Sequence, residues 1–289
     1  MTGALAVAEP CLVCGGVAFD TPVLGPLARC RTCQFIFLPR TPDLPQRIDA
    51  LYAGDYLTGA EFGDYASQRA TFARNFQGYL RRMRQTGAAG GRLVEVGCAY
   101  GFFLEQARAS FDVTGLDVND VAIRSAQTLG VKAIFADFRT YRPDAPFDVA
   151  CFWDTIEHLL EPSQYLAHAR DVLKDGGLLY LTTGDIGSRL ARWRGAHWRM
   201  IHPPSHLNYF SRDTITRLLD REGFDVVSIS SVGTYRDLAN SLHVLGLFSK
   251  RPWVRKAAAA AERVLGGRSL GFYLNLHDIM FVAARKRAR

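Results

Sequence analysis

The sequence predicts an α/β fold, a parallel sheet with helices packed on both faces, joined to a small amino-terminal unit. Three observations carry that expectation. Short apolar runs of strand length alternate with amphipathic helical runs from Arg92 onward. A glycine-bearing turn, Glu95-Val96-Gly97-Cys98-Ala99-Tyr100-Gly101, sits between one such strand and the helix after it. Acidic residues Asp117, Asp137 and Asp154 recur at the carboxyl ends of later strands, where ligands sit in sheets of this kind.

The amino-terminal unit comes first. Cys11-Leu12-Val13-Cys14 and Cys30-Arg31-Thr32-Cys33 are two knuckles with fifteen residues between them, a four-cysteine zinc spacing. Four thiolates leave no open coordination position, so the expected Zn2+ is structural, and its binding would supply folding free energy to a segment too short for its own core. Two disulfides compete with this reading, but Met1 to Pro10 has neither the basic start nor the long apolar run of a secretory signal. A redox pair explains the duplicated motif less well. Free cysteines and a thiolate zinc site together suit a reducing cytoplasm. Cys98 and Cys151 read as small buried hydrophobes.

Pro39 to Pro45 reads as a linker. Phe72, Phe76, Tyr79, Leu80 and Met83 then recur at helical spacing among Arg69, Arg74, Arg81, Arg82 and Arg84, a helix expected to cap one edge of the sheet and to end at Gly87 to Gly91. Arg92 to Val96 is the first strand, and Phe102, Phe103, Leu104 and Ala107 open the helix packed on it. The glycines do not follow the G-x-G-x-x-G arrangement that seats a pyrophosphate, so the turn suits a nucleoside cofactor without phosphates. The second strand, Phe111 to Asp117, ends in a carboxylate able to accept both hydroxyls of an unmodified ribose.

Further strands follow at Phe147 to Asp154 and at Leu178 to Thr182, the latter introduced by the Asp175-Gly176-Gly177 turn, which is expected to stop the preceding helix. Pro162 opens the helix between them, and Ser211 caps a helix whose Ile215, Leu218 and Leu219 face the core. Asp278 to Ala284 is expected to return and pair with Phe224 to Ser230.

In these motifs the chain resembles the class I S-adenosylmethionine-dependent methyltransferases, whose first motif is an acid followed by Gly-x-Gly-x-Gly. The resemblance implies a Rossmann-like sheet, mostly parallel with an antiparallel last strand, and S-adenosyl-L-methionine as methyl donor. It places Glu95, Gly97, Cys98, Ala99, Tyr100 and Gly101 at the methionine end of the donor, Asp117 at the ribose, and Asp137 with Phe138 at the adenine. Ala99 stands where the family has its middle glycine. Asp154-Thr155-Ile156-Glu157-His158-Leu159 is similar to the family's Asp-x-x-Glu-His-Leu segment, which puts Asp154 and His158 beside the reacting groups. The implied organisation is a zinc ribbon over residues 1–45, linker and capping helices over 46–90, and a methyltransferase domain over 91–289 with a helical lid at about 232–276. The ribbon fused to this domain resembles the arrangement in bacterial deoxysugar C-methyltransferases.

A base is needed only when the acceptor must lose a proton. The loop His197 to Ser211 carries His197, His202, His206 and Tyr209. It resembles the sugar methyltransferases' Glu-His-x-x-Tyr-Phe-Ser segment, with Ser205 in place of the glutamate, which implies His206 as general base, Tyr209 beside it and His158 as the rival base. The alternative is a structural histidine that fixes the loop. A second metal site on His197, His202 and His206 lacks a carboxylate at ligand spacing.

The reading is therefore methyl transfer to a hydroxyl or carbon of a small, carbohydrate-like acceptor, nucleotide- or lipid-linked forms included. Against it stand an RNA methyltransferase gripping nucleic acid through the ribbon and basic face, and a non-catalytic scaffold. The net charge of +7 comes largely from late basic clusters with no ordered aromatic stacking motif among them, which argues against nucleic acid. No apolar run is long enough to cross a bilayer. Leu242 to Leu265 mixes apolar and basic residues in a way that suits membrane-surface contact, with the helical lid preferred. Nothing in the sequence sets an oligomeric state.

Overall fold

The computed structural model describes residues 9–53, 68–237 and 271–288, with 252–254, 256, 257 and 260 in addition. Most of the expected lid over about 232–276, and the Leu242 to Leu265 stretch read as a membrane-surface candidate, fall outside the described residues.

After the first knuckle come β1 (Phe19–Val23), β2 (Leu27–Cys30) and β3 (Ile36–Phe37), then α1 (Leu44–Ala53) and α2 (Arg69–Gln85). The α/β alternation runs β4 (Gly91–Val96), α3 (Phe102–Ala107), β5 (Phe111–Asp117), α4 (Asp120–Thr128), β6 (Lys132–Phe135), β7 (Phe147–Trp153), α5 (Pro162–Val172) and β8 (Leu173–Gly184). The remainder is α6 (Arg189–Arg194), β9 (Asn208–Tyr209), α7 (Arg212–Arg221), β10 (Phe224–Ser231), β11 (Thr234–Asp237), β12 (Gly271–Leu274) and β13 (Ile279–Lys286).

Seven strands form the main sheet in the order β10-β13-β8-β7-β4-β5-β6. The pairs among β8, β7, β4, β5 and β6 are parallel, whereas β13 is antiparallel to both β8 and β10. The expected α/β sheet with an antiparallel last strand is thus present, and β13 lies between its neighbours rather than at the rim.

Alternation along each strand builds two cores. Ala150 and Phe152 of β7 face one side with Leu166 and Ala169 of α5 and Ile215 and Leu218 of α7. Val149, Cys151 and Trp153 face the other with Phe103 of α3 and Phe76, Tyr79 and Met83 of α2. Helix α2 therefore lies across a face of the sheet and not along an edge: Tyr79 meets Trp153 at 4.8 Å and Phe281 at 5.7 Å, ring to ring. The aromatic stripe that marks the helix packs on rings from β7 and β13.

Strand β8 starts earlier than its apolar run. Helix α5 ends at Val172 and Leu173 already pairs with Phe147, after which Lys174 to Gly177 bulge out before Leu178 pairs with Val149. The Asp-Gly-Gly turn is thus a bulge within the strand and not the stop of the helix. The helix caps fall as expected, with Pro162 opening α5 and Ser211 forming a capping box with Thr214 on α7.

A four-stranded sheet in the order β1-β2-β3-β9 joins the amino-terminal unit to the loop after β8. Ile36 pairs with Tyr209 and Phe37 with Asn208, and Leu38 donates its N–H to Leu207 at 2.8 Å. Phe35 packs on Phe210 at 5.2 Å. Among the described residues no helix is long and apolar enough to cross a membrane.

Candidate functional site

A cavity of about 1500 Å³ opens at the carboxyl ends of the parallel strands, more room than one small ligand fills. The turn after β4, Asp117 and Asp137 line it on one side; Asp154, Glu157, His158, His202 and His206 line it on the other. Thr41, Pro42, Leu44 and Pro45 also line it, so the stretch read as a linker is a wall of the site. Arg40 anchors that wall through Glu161 and the Leu160 carbonyl.

On the first side the chain turns at Gly97 with φ +74° and at Ala99 with φ +44°, both left-handed. Ala99 holds this conformation without the glycine that the family motif has there, because its N–H is tied to Asp117 Oδ2 at 2.8 Å. Asp117 Oδ1 accepts the Asn119 N–H, also at 2.8 Å. One carboxylate thereby ties the turn after β4 to the start of α4 and keeps two lone-pair positions for a ligand. Burial raises the Asp117 carboxyl above its ordinary range, and the amides of Ala99 and Asn119 oppose that rise.

A Cβ on Gly97 would lie 2.8 Å from Thr155 Oγ1 and 2.9 Å from its Cγ2. Gly97→Ala is expected to destabilise the turn by about 2–4 kcal/mol, from the left-handed backbone and the overlap together. The check is a fall in both melting temperature and S-adenosylhomocysteine affinity by calorimetry; an unchanged affinity would separate the turn from the donor site.

The other residues of the turn point elsewhere. Glu95 lies beneath it with Oε2 unpartnered, and burial, with the charge of Asp117, pushes its carboxyl well above the usual range. Cys98 and Tyr100 are buried in the core, Tyr100 stacked on Phe102, so they meet the cavity through backbone at most. Phe138 lines the cavity and packs edge-on against Phe152 at 6.0 Å and His168 at 4.9 Å. Asp137 caps the short turn at Phe138–Thr140 and pairs with Arg139 Nη2 at 2.6 Å. Burial would raise its carboxyl, but Arg139 brings it below the ordinary value. Asp154, with φ +48°, accepts the Thr182 hydroxyl at 2.9 Å. It is open to the cavity yet deep in the fold, so protein more than bulk water surrounds its raised carboxyl.

On the second side, two loops are stitched together. Leu207 N–H donates to Glu157 O at 2.8 Å, and Asn208 Nδ2 donates to Leu159 O at 2.7 Å. Nδ1 of His158 meets the Ser205 carbonyl at 2.8 Å, and Nδ1 of His206 meets the Met200 carbonyl at 2.9 Å. A carbonyl can only accept, so both imidazoles carry their proton on Nδ1 and their lone pair on Nε2. The two rings lie 4.7 Å apart. Burial lowers His158 to about 4, against the Ser205 hydrogen bond; burial and the neighbouring histidines lower His206 to about 3. Both are neutral at physiological pH.

Glu157 is 2% exposed, and neither carboxylate oxygen has a hydrogen-bond partner. Burial, reinforced by Asp154, raises it to about 8. Tyr209 does not join this group: it is buried and donates its hydroxyl to the His206 carbonyl at 3.1 Å, positioning the loop from behind. The His197, His202 and His206 set is not assembled either. His197 is exposed on the turn before Trp198, whereas Glu157, His158 and His206 bring their ligand atoms within 4.8 Å of one another. Sequence reasoning missed Glu157 as the neighbour of His206 and Asn208 as the clamp; the only sequence signal was the Glu157-His158 pair at a strand end.

At the amino terminus each knuckle closes through a left-handed residue, Gly15 at φ +72° and Gln34 at φ +65°. Gly15 N–H bonds back to Cys11 O and Gln34 N–H to Cys30 O. The sulfurs of Cys11 and Cys33 are 3.6 Å apart, as are those of Cys14 and Cys30, and all four lie within 4.8 Å of one another. Bonded disulfide sulfurs would be about 2 Å apart, while a tetrahedron of thiolates about 2.3 Å from zinc has edges near 3.8 Å.

A family model described as a methyltransferase domain matches residues 65–229. The ubiquinone biosynthesis O-methyltransferase of Caulobacter vibrioides is 29% identical over 159 residues, 45% of this chain and 63% of that protein. The match thus spans less than two thirds of that relative's own length. A S-adenosylmethionine-dependent methyltransferase from Thermotoga maritima shares the fold at a TM-score of 0.53 and 17% identity, covering 84% of this chain and 99% of that one. So does the magnesium protoporphyrin IX methyltransferase of Synechocystis PCC 6803 with bound S-adenosylmethionine, at 0.50 and 13%, covering 86% and 99%.

Proposed function

Because this chain belongs to the methyltransferase-domain family, we propose that it moves a methyl group from S-adenosylmethionine to a hydroxyl of a small polar acceptor, a carbohydrate-like metabolite in its finer form. The carrying observation is one cavity with two unlike walls, the Asp117-tied turn on one and the Glu157, His158 and His206 cluster on the other. Relatives described as O-methyltransferases support a hydroxyl over a carbon.

The donor supplies a methyl carbon already activated by its sulfonium. What the protein adds is position and proton management. Asp117 offers its two remaining lone-pair positions to the ribose hydroxyls, and the backbone of Gly97 and Ala99 leaves room for the amino-acid end. Asp137, which borders the cavity, would meet the adenine. Across the cavity, neutral His206 presents Nε2 as the base for the acceptor, with His158 beside it and Tyr209 behind its loop. The four thiolates of Cys11, Cys14, Cys30 and Cys33 would hold a structural Zn2+.

His206→Ala is expected to keep S-adenosylhomocysteine affinity and lose about 10²- to 10⁴-fold in transfer rate. Calorimetry together with a methyl-transfer assay decides; equal loss of both would mean that His206 only holds the fold.

A further inference from the structure

The geometry points to a divalent-cation site made by Glu157, His158 and His206, distinct from the four-cysteine cluster. Three features build it. Each imidazole donates Nδ1–H to a backbone carbonyl, Ser205 for His158 and Met200 for His206, which fixes the ring and directs a lone pair along Nε2. Backbone or carboxylate acceptors behind a histidine are the usual support of a metal ligand. Glu157 is almost fully buried, and neither oxygen has a hydrogen bond of ordinary geometry, a desolvation cost that a cation would offset. Two neutral imidazoles and one carboxylate, with ligand atoms within 4.8 Å of one another, form a two-histidine, one-carboxylate set on a cavity wall. That set suits a first-row divalent ion and leaves open positions toward the cavity.

The site joins loops distant in sequence. Glu157 and His158 follow β7, and His206 precedes β9; the Leu207 to Glu157 and Asn208 to Leu159 hydrogen bonds hold the two together.

The ion's part in the reaction rests on the transfer reading above; its binding does not. An acceptor hydroxyl bound at an open position loses acidity cost through the ion's charge. The O–H bond breaks and its proton passes to the second Glu157 oxygen. The oxygen pair then forms the bond to the methyl carbon as the C–S bond breaks, its electrons remaining on sulfur. With the ion in place, Nε2 of His206 is a ligand, so the base role given to His206 above passes to Glu157 and the rate loss of His206→Ala becomes the loss of the ion.

Mn2+ is the probe, because a hard ion competes poorly for the four thiolates. Titration of the zinc-loaded full chain, followed by the paramagnetic resonance signal of free Mn2+, is expected to show one bound ion per chain. Glu157→Gln and His206→Ala should each weaken it at least about tenfold. Melting curves and S-adenosylhomocysteine calorimetry on the same variants confirm that the fold persists, and His206→Asp, which keeps a ligand atom, should restore part of the binding. No Mn2+ uptake at about 1 mM, or uptake indifferent to these substitutions, overturns the site. Mn2+ binding without donor binding would instead leave the site standing and remove the transfer reading.

Discussion

Asp117→Ala is expected to weaken S-adenosylhomocysteine binding by about two to four orders of magnitude, because two hydrogen bonds to a charged acceptor, each about 1.5–3 kcal/mol, disappear together. The same substitution releases the N–H groups of Ala99 and Asn119, so the turn and the α4 start lose their common tie. Asp117→Asn keeps the shape but turns an amide NH2 toward one of those donors, and it should recover little. Calorimetry with the melting temperature as control is the measurement. A loss below about threefold with a stable fold would remove the ribose contact from Asp117.

The second large effect belongs to the thiolates. Cys30→Ser is expected to abolish the thiolate-to-cobalt absorption of the cobalt-substituted protein and to unfold the amino-terminal unit, since structural zinc in small units contributes about 10–16 kcal/mol. Transfer should fall with it, while donor affinity, set by β4 and β5, should change little. A Cys30→Ser protein that keeps the cobalt band and full activity would defeat the zinc assignment.

Much of the fold was legible because its signals are local. Alternation marked β4, β5 and β7, and Ser211 marked the start of α7 by a side chain that satisfies its own helix. The turn at Gly97 was visible because few residues but glycine enter that conformation. What the sequence concealed depended on partners far along the chain. Strand β9 has two residues and exists only because β3 pairs with it. Tyr209 sits beside site residues in sequence, yet its hydroxyl turns back to the His206 carbonyl, and nothing in a local pattern says which way a ring will turn. Glu157 and His206 meet through two loops tied by the Leu207 to Glu157 backbone bond and by the Asn208 side chain, a pairing across about fifty positions that no local pattern announces. Helix α2 showed its apolar stripe but not the surface it would cover.

The backbone ladder between Ile36-Phe37 and Asn208-Tyr209 makes residues 9–38 and the loop carrying His206 a single inheritance. A chimera that imports residues 199–211 from another member of the family would meet the wrong edge strand, whereas one that imports 9–38 along with them brings its own mate. Acceptor preference would then travel with an amino-terminal segment that lies outside β4 and β5.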